Sequence, residues 1–220
     1  MHIESVIKTN FKFTWIPNGI DIEEIHNKRK SVVLESVPSN GFVVGFCGAL
    51  GQALSVELLI DVVKKLSEKY PIYAFILGEG DHKESFIERA QGNGNIIFHA
   101  KVKKNDVSAY LHKCDALYIG WRNANLYRFG VSANKYADYM YAGKPIISGG
   151  SIGNDPVKIS ESGLVIEPEN YHQLEKAIMT LYKMDQRQRV EIGNRGKTYL
   201  HEFLNMNVIS RQYLELLEKI

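Results

Sequence analysis

The chain has 220 residues, 45 % of them hydrophobic and 24 % charged, which is the composition of a soluble globular protein large enough for its own core. A formal net charge of +2 is too small to predict binding to nucleic acid, and no apolar run reaches the roughly 18 residues of a membrane-spanning helix. The N-terminus lacks the apolar stretch of a signal peptide, and the settings of Cys47 and Cys114 predict buried free thiols in a reducing compartment. We therefore expect a cytoplasmic protein.

After a short lead-in, the chain alternates between two kinds of hydrophobic pattern. Residues 1–40 form the lead-in, in which 11–16 are strand-like, 17–19 form a turn and 22–40 form a loop or short helix. From residue 41, the predicted strands are 42–47, 72–77, 96–98, 116–119, 145–148 and 163–166. The predicted helices are 54–66, 82–91, 106–113 and 133–142, with further helices from about 171 to the end. Residues 41–220 are therefore expected to form one domain.

Strands that alternate with helices predict an α/β, Rossmann-like parallel sheet of about six strands flanked by helices. Ligands of such sheets bind outside the carboxyl ends of the strands. The candidate site therefore consists of the loops that follow the strands, which cover 48–53, 78–82, 99–104, 120–132 and 149–154.

Two of these loops are rich in glycine. Gly48 and Gly51 lie in the first, beside Gln52, where glycine lets the backbone approach a ligand and the next helix offers free N–H groups to a phosphate. The alternative is a plain tight turn, since the spacing matches neither a dinucleotide fingerprint nor a P-loop. The second loop contains Gly78, Gly80 and Asp81. Its aspartate either contacts a ligand or caps the following helix.

The segment 127–147 carries the most specific pattern. Ser132 is a natural N-cap for the helix that follows, and Asn134 and Lys135 fall in its first turn. A cation is unfavourable there because of the helix dipole, so a diphosphate shared by Lys135 and the free N–H groups would explain it. Asp138 lies about 9 Å beyond Ser132 along the helix, which is the reach from a diphosphate to ribose hydroxyls. The alternative is a surface ion pair between Lys135 and Asp138.

Other charged residues lie in these loops. Arg122 and Arg128 would stabilise the charge of a departing diphosphate, or they are solvated loop arginines. A basic run at Lys101, Lys103 and Lys104 predicts a solvated loop rather than a membrane-binding patch. The histidines show no metal-ligand spacing, and the sequence has neither an Asp-x-Asp motif nor a nucleophile elbow.

Five motifs occur in a fixed order along the chain. They are Ile16-Pro17-Asn18-Gly19-Ile20-Asp21, the Gly48 loop, Leu77-Gly78-Glu79-Gly80, Ser132-Ala133-Asn134-Lys135 and the stretch from Asp138 to Pro145. This order resembles the C-terminal domain of family 4 glycosyltransferases of GT-B architecture, in particular the bacterial enzymes that build O-antigen, capsule or exopolysaccharide. The resemblance covers residues 14–215, and 127–147 is its specific part.

The resemblance implies a retaining, metal-independent transfer of a sugar from a UDP- or GDP-sugar to a polysaccharide or lipid-linked acceptor, without a cofactor. The loop 48–52 would lie beside the diphosphate, Ala100 and Val102 would border the base, and Asp138 would bind the ribose. Lys135 and Arg128 would act as the catalytic residues that stabilise the leaving diphosphate.

The sequence departs from the pattern of this family at two places. Many relatives carry an arginine and a lysine at the first loop, where this chain has Ala49 and Gln52, so Lys135 and Arg128 are expected to supply the charge instead. Many relatives also have a glutamate where this chain has Gly130, so no carboxylate at that position contacts the sugar.

The resemblance further implies a second, N-terminal half that holds the acceptor. The chain is therefore expected to be a fragment, or one subunit of a split enzyme whose partner supplies this half. The acceptor half would contact the inner face of the membrane peripherally. The final helices would pack towards it and otherwise expose an apolar patch.

Two other functions stay open on the sequence alone. A nucleotide-sugar epimerase of related architecture would act without an acceptor. A non-catalytic nucleotide-binding or scaffolding subunit would tolerate the loss of charge at Lys135 and Asp138. A dinucleotide oxidoreductase is not favoured, because no G-x-G-x-x-G follows the first strand.

Overall fold

The computed structural model describes residues 14–27, 32, 34 and 37–218, and within them it shows six parallel strands flanked by helices. The strands are β1 (Phe42–Cys47), β2 (Ile72–Leu77), β3 (Ile96–His99), β4 (Ala116–Gly120), β5 (Ile146–Gly149) and β6 (Gly163–Ile166). The helices are α1 (Ile22–Asn27), α2 (Val56–Ser67), α3 (Lys83–Ala90), α4 (Lys104–Leu111), α5 (Asn134–Ala142), α6 (Pro156–Ser160), α7 (Tyr171–Lys183), α8 (Gln186–Tyr199) and α9 (Met206–Leu217). A 3-10 turn covers Asn125–Phe129, and a π-helical turn covers Leu200–Leu204.

The sheet confirms the predicted α/β, Rossmann-like architecture. Its strand order is β3-β2-β1-β4-β5-β6, and each neighbouring pair is parallel. The central strands are apolar throughout because both of their faces are covered, and Val44 and Phe46 of β1 have no exposed surface. The chain changes direction across the sheet between β1 and β4, which creates a crevice at their carboxyl ends.

Two local predictions need correction. The strand predicted at 11–16 is absent from its described part, residues 14–16, while residues 11–13 lie outside the described residues, as do Lys28 to Lys30 of the lead-in. Helix α6 was not predicted because it has only five residues, too few for a periodic pattern. Its local signals were present, since the Asp155 side chain caps it and Pro156 occupies its first position.

The described part of the lead-in packs on the end of the chain. The Ile20 N–H donates to the Leu204 carbonyl at 3.0 Å, and the Met206 N–H donates to the Ile20 carbonyl at 3.0 Å. Ile20 and Ile25 are both buried in the core. These contacts tie the segment before the domain to the π-helical turn and the start of α9.

A buried tyrosine bridges β1 and β4 by hydrogen bonds at the crevice between them. The two strands pair only at Val44 with Ala116 and at Gly45 with Leu117, so the backbone beyond needs other partners. The hydroxyl of Tyr139, from α5, accepts a hydrogen bond from the Cys47 N–H at 2.8 Å and donates to the Tyr118 carbonyl at 3.2 Å. The Tyr139 side chain thus replaces the missing hydrogen bonds between β1 and β4 where the two strands separate.

We expect Tyr139→Phe to lower the free energy of unfolding by about 1–3 kcal/mol, because the Cys47 N–H loses this partner in a buried site. Urea denaturation measures the change. The matched control is Tyr141→Phe on the same helix, where the ring contact with His112 survives and the change should stay within about 0.5 kcal/mol. Equal losses for the two variants would contradict the role given to the Tyr139 hydroxyl.

Candidate functional site

The loops after β1 and β2 pack backbone against backbone at the carboxyl ends of the sheet. The Leu50 N–H donates to the Glu79 carbonyl at 2.9 Å, and the His82 N–H donates to the Leu50 carbonyl at 3.0 Å. A Cβ on Gly78 would lie 1.9 Å from the Gly48 oxygen, and one on Gly80 would lie 2.3 Å from the Leu50 oxygen. Loop packing alone therefore accounts for Gly78 and Gly80.

The absence of a side chain at Gly48 leaves room for the side chain of Lys135. A Cβ on Gly48 would lie 2.1 Å from the Lys135 Cε and 2.3 Å from its Nζ, and the Gly48 φ is 147°. The ammonium group also lies 6.0 Å from the centre of the Phe46 ring. Burial lowers the pKa of Lys135 below its ordinary value, and Asp138 opposes this effect. The structure thus brings Lys135, predicted to bind diphosphate, onto the predicted glycine loop.

Asp138 lies further along α5 and pairs with Lys104, a residue of the predicted basic run that the sequence did not connect with it. The Lys104 Nζ, at the start of α4, lies 2.5 Å from each carboxylate oxygen of Asp138. Burial raises the pKa of Asp138, while Lys104 lowers it. Lys104 is exposed, as predicted, but it is the first residue of α4 rather than part of a loop, and the ion-pair partner of Asp138 is Lys104 rather than Lys135.

A cavity of ≈ 410 Å³, here called the β1–β2 cavity, opens beside these groups. Its wall consists of Cys47, Gly48, Ala49, Leu77, Gly78, Glu79, Lys101, Val102, Lys104 and Val107. Ala100 and Val102 were expected to border the base of the nucleotide. Val102 lines the β1–β2 cavity, whereas Ala100 is exposed and its carbonyl lies 2.7 Å from the His99 Nδ1. Glu79 pairs with Lys83 at 2.7 Å, which holds the pKa of that carboxyl below its ordinary value. With Lys101, Lys104 and Lys135 close by, the cavity favours an anionic ligand.

The start of α5 differs from its prediction. Ala133, not Ser132, is the N-cap residue, and no side chain caps the helix. The Ser132 hydroxyl instead accepts a hydrogen bond from the Asn18 N–H at 3.0 Å, while the Asn18 Nδ2 donates to the Ser132 carbonyl at 3.1 Å. Asn18 therefore ties the lead-in to the loop before α5, and Asn134 in the first turn is left exposed.

Other residues of the chain occupy the guanidinium of Arg122, so it is neither a solvated loop arginine nor available to stabilise a departing diphosphate. Its guanidinium pairs with Glu57 at 2.5 Å and with Glu169 at 2.8 Å, and its Nε donates to the Gln52 carbonyl at 2.9 Å. Glu169 has a φ of 56° and also accepts from the Asn123 N–H at 2.9 Å. Arg122 therefore anchors the end of the first glycine loop.

Arg128 lies at a different cavity from Lys135. It is exposed, and its guanidinium lies 4.7 Å from the centre of the Phe129 ring. It lines a second cavity of ≈ 380 Å³ with residues after β5 and β6, among them Ser151, Lys158 and Glu167. The structure therefore does not place Arg128 in the wall of the β1–β2 cavity.

Three further predicted residues lie at the same edge without lining the β1–β2 cavity. Gly51 faces open space, since an added Cβ meets nothing within 4 Å. The side chains of Gln52 and Asp81 are exposed. Asp81 does not cap α3, because the N-cap residue is His82 and no side chain caps that helix.

Cys47 and Cys114 are free thiols, as predicted, but only Cys114 is fully buried, whereas Cys47 is half-buried in the cavity wall; burial raises the pKa of each to about 12. A thiol with a raised pKa is protonated at neutral pH. In the described part of the chain, no group of three or more His, Cys, Asp or Glu side chains is placed to hold a metal ion. No helix within residues 14–27 and 37–218 is both long and apolar enough to cross a membrane.

Comparison with known proteins gives a family match and a set of similar folds. A profile of the family described as "Glycosyl transferases group 1" matches residues 41–184. A comparison with curated protein sequences finds no match.

Several solved structures superpose on most of the chain. HepE of Anabaena, in complex with UDP-glucose, gives a TM-score of 0.72 at 20 % identity, over 93 % of this chain and 57 % of HepE. Sucrose-phosphate synthase of Thermosynechococcus elongatus gives 0.74 at 14 % identity, over 99 % and 55 % of the two chains. WaaG, described as a glycosyltransferase involved in lipopolysaccharide biosynthesis, gives 0.66 at 14 % identity, over 90 % and 54 %. The likeness shows a shared fold, and this chain spans little more than half the length of each relative.

Proposed function

The chain belongs to the group 1 glycosyl transferases and has the Rossmann-like fold of GT-B glycosyltransferases, and from this premise we propose that it is the donor-binding half of such an enzyme. The nucleoside diphosphate of a sugar donor would occupy the β1–β2 cavity. The observation that carries this proposal is the position of Lys135, whose ammonium group lies over Gly48 at the edge where Asp138 also lies.

The charge of the β1–β2 cavity supports a diphosphate ligand. Lys135 is half-buried and pairs with no carboxylate within 4 Å in the described part of the chain, so it keeps its attraction for an incoming anion. Gly48 leaves the space above the loop for its ammonium group. Asp138 offers a carboxylate for two ribose hydroxyls, and Val102 an apolar surface for a base.

We propose the chemistry of a retaining, metal-independent transfer. The acceptor hydroxyl oxygen forms its bond to the anomeric carbon on the face from which the diphosphate departs, so the configuration is kept. The bond between the anomeric carbon and the diphosphate oxygen breaks, and the hydroxyl proton passes to the departing diphosphate. Lys135 stabilises the negative charge of the leaving diphosphate. UDP is the first nucleotide to test, because HepE was solved with UDP-glucose; GDP is the second.

The acceptor half is proposed to lie outside this chain. The chain corresponds to 57 % of HepE, and α9 exposes apolar side chains, with Leu214 at 59 % and Leu217 at 65 %. A second domain or a partner subunit would cover that surface. We propose family 4 membership and a polysaccharide or lipid-linked acceptor, in line with WaaG. A cytoplasmic location, with peripheral contact of the other half at the inner membrane face, completes the proposal.

Calorimetric titration with UDP and GDP, without added metal, tests the nucleotide site. We expect Lys135→Met to weaken binding about tenfold to 100-fold, because it removes a charge-assisted hydrogen bond and keeps the aliphatic stem over Gly48. Lys176→Met on the exposed side of α7 is the matched control and should bind as the native chain does.

Two results would contradict the donor site. If neither nucleotide binds the native chain, the scaffolding function is favoured. If Lys135→Met binds as tightly as the Lys176 control, the site lies elsewhere. An epimerase is separated by incubation with a nucleotide sugar alone, since only an epimerase converts the donor without an acceptor.

A further inference from the structure

The ion pair between Lys104 and Asp138 covers the carboxylate that the proposed function assigns to ribose. Each oxygen of Asp138 lies 2.5 Å from the Lys104 Nζ, and the side chain of Asp138 is only 16 % exposed against 55 % for Lys104. Lys104 forms part of the β1–β2 cavity wall, whereas Asp138 does not. A ligand in the cavity therefore meets the ammonium group before it meets the carboxylate.

Neutral hydroxyls alone are a poor replacement for this ammonium group. Its two hydrogen bonds to Asp138 are charge-assisted, and ribose would offer neutral donors in their place. Burial already disfavours the charged carboxylate of Asp138, and Lys104 is the first group that counteracts this effect. A nucleoside without phosphate would therefore gain little by opening the pair.

A phosphate changes this balance, because it gives Lys104 another anion. The side chain of Lys104 is 55 % exposed and lines the cavity, so a phosphate there can reach its ammonium group. Lys104 lines the cavity and the Lys135 ammonium group lies over Gly48, so two like charges repel each other at this edge, and burial together with the charge of Lys104 lowers the pKa of Lys135. An anion between them would relieve this repulsion and pair with both.

Resting on the proposed function, we infer that Lys104 is a specificity-determining residue, which uncovers Asp138 for ribose only when a phosphate of the same ligand accepts its hydrogen bonds. Lys104 thus makes the cavity select nucleoside diphosphates over nucleosides by more than the phosphate contacts alone. Lys104 keeps the ribose hydroxyls from Asp138 when no phosphate is present, and it attracts the phosphate when one is.

The test compares Lys104→Ala with the native chain by calorimetry, using uridine, UDP, guanosine and GDP. For the base that binds, we expect the variant to bind the nucleoside about threefold to tenfold more tightly and the diphosphate about tenfold more weakly. Lys103→Ala, at the neighbouring exposed N-cap of α4, is the control and should change neither affinity. The gain should vanish with the 2′,3′-dideoxynucleoside, which lacks the two hydroxyls that Asp138 would bind.

Each other outcome overturns the inference. A weaker diphosphate with an unchanged nucleoside means that Lys104 binds phosphate without covering Asp138. Tighter binding of both ligands means that Lys104 only obstructs, and no change in either means that the pair is structural. These failures leave intact the loss of affinity in Lys135→Met. If the native chain binds neither diphosphate, the proposed function fails and the inference falls with it.

Discussion

Replacement of Gly48 by alanine is expected to weaken nucleotide binding about 100-fold and to lower the free energy of unfolding by about 1–3 kcal/mol. The change in stability arises from the backbone, since a φ of 147° is costly for any residue with a Cβ. The change in affinity arises from Lys135, because the new methyl group would lie 2.1 Å from its Cε. The flexible lysine must move away, and the ammonium group leaves the loop.

Gly51 provides the control for this substitution. It lies in the same loop, but a Cβ there meets nothing within 4 Å, so Gly51→Ala should leave the free energy of unfolding within about 0.5 kcal/mol of the native value. Urea denaturation and calorimetry with UDP or GDP measure the two effects separately. A Gly48→Ala chain that binds nucleotide like the native one would show that the contact with Lys135 has no bearing on the site.

A double-mutant cycle tests whether Gly48 acts through Lys135. If it does, Gly48→Ala in the Lys135→Met background should weaken binding little further, since the charge has already been removed. Full additivity of the two changes would mean that they act independently. The cycle therefore separates a displaced lysine from a general distortion of the loop.

The arrangement of the strands could be predicted because each strand is coded locally. An apolar run such as residues 42–47 is buried on both faces, and alternation with helices implies parallel pairing. Parallel strands end at one edge, so the meeting of the Gly48 loop with α5 follows from topology, before any contact is known. The structure places Lys135 at this edge, as that reasoning requires.

The partners of the charged residues could not be predicted, because they join segments distant in the sequence. Lys104 and Asp138 are 34 residues apart, and Arg122 and Glu169 are 47 apart. The sequence of the basic run does not show which of its lysines forms an ion pair, because that depends on how the helices pack. Gly130 shows the same limit, since its φ of 110° and its approach to Asn154 are visible only in the fold. Side-chain pairing depends on rotation and spacing of elements, which periodicity does not specify.

Gly78→Ala is expected to lower the free energy of unfolding by about 3 kcal/mol, at the upper end of the usual range for overpacking. Its Cβ would lie 1.9 Å from the carbonyl oxygen of Gly48, and a backbone oxygen cannot turn aside as a lysine side chain can. The loops after β1 and β2 would have to separate, which also strains the hydrogen bond from Leu50 to Glu79.

The matched control is Gly94→Ala in the turn before β3, where a Cβ meets nothing within 4 Å and the change should stay within about 0.5 kcal/mol. Urea denaturation of both variants gives the comparison. Similar free energies of unfolding for the two variants would mean that the loops after β1 and β2 can separate without cost. The close contact of Gly78 with Gly48 would then not determine the shape of the β1–β2 cavity. A large loss confined to Gly78→Ala would instead show that the cavity is built on backbone contact, so that Lys135 has a rigid surface to lie on.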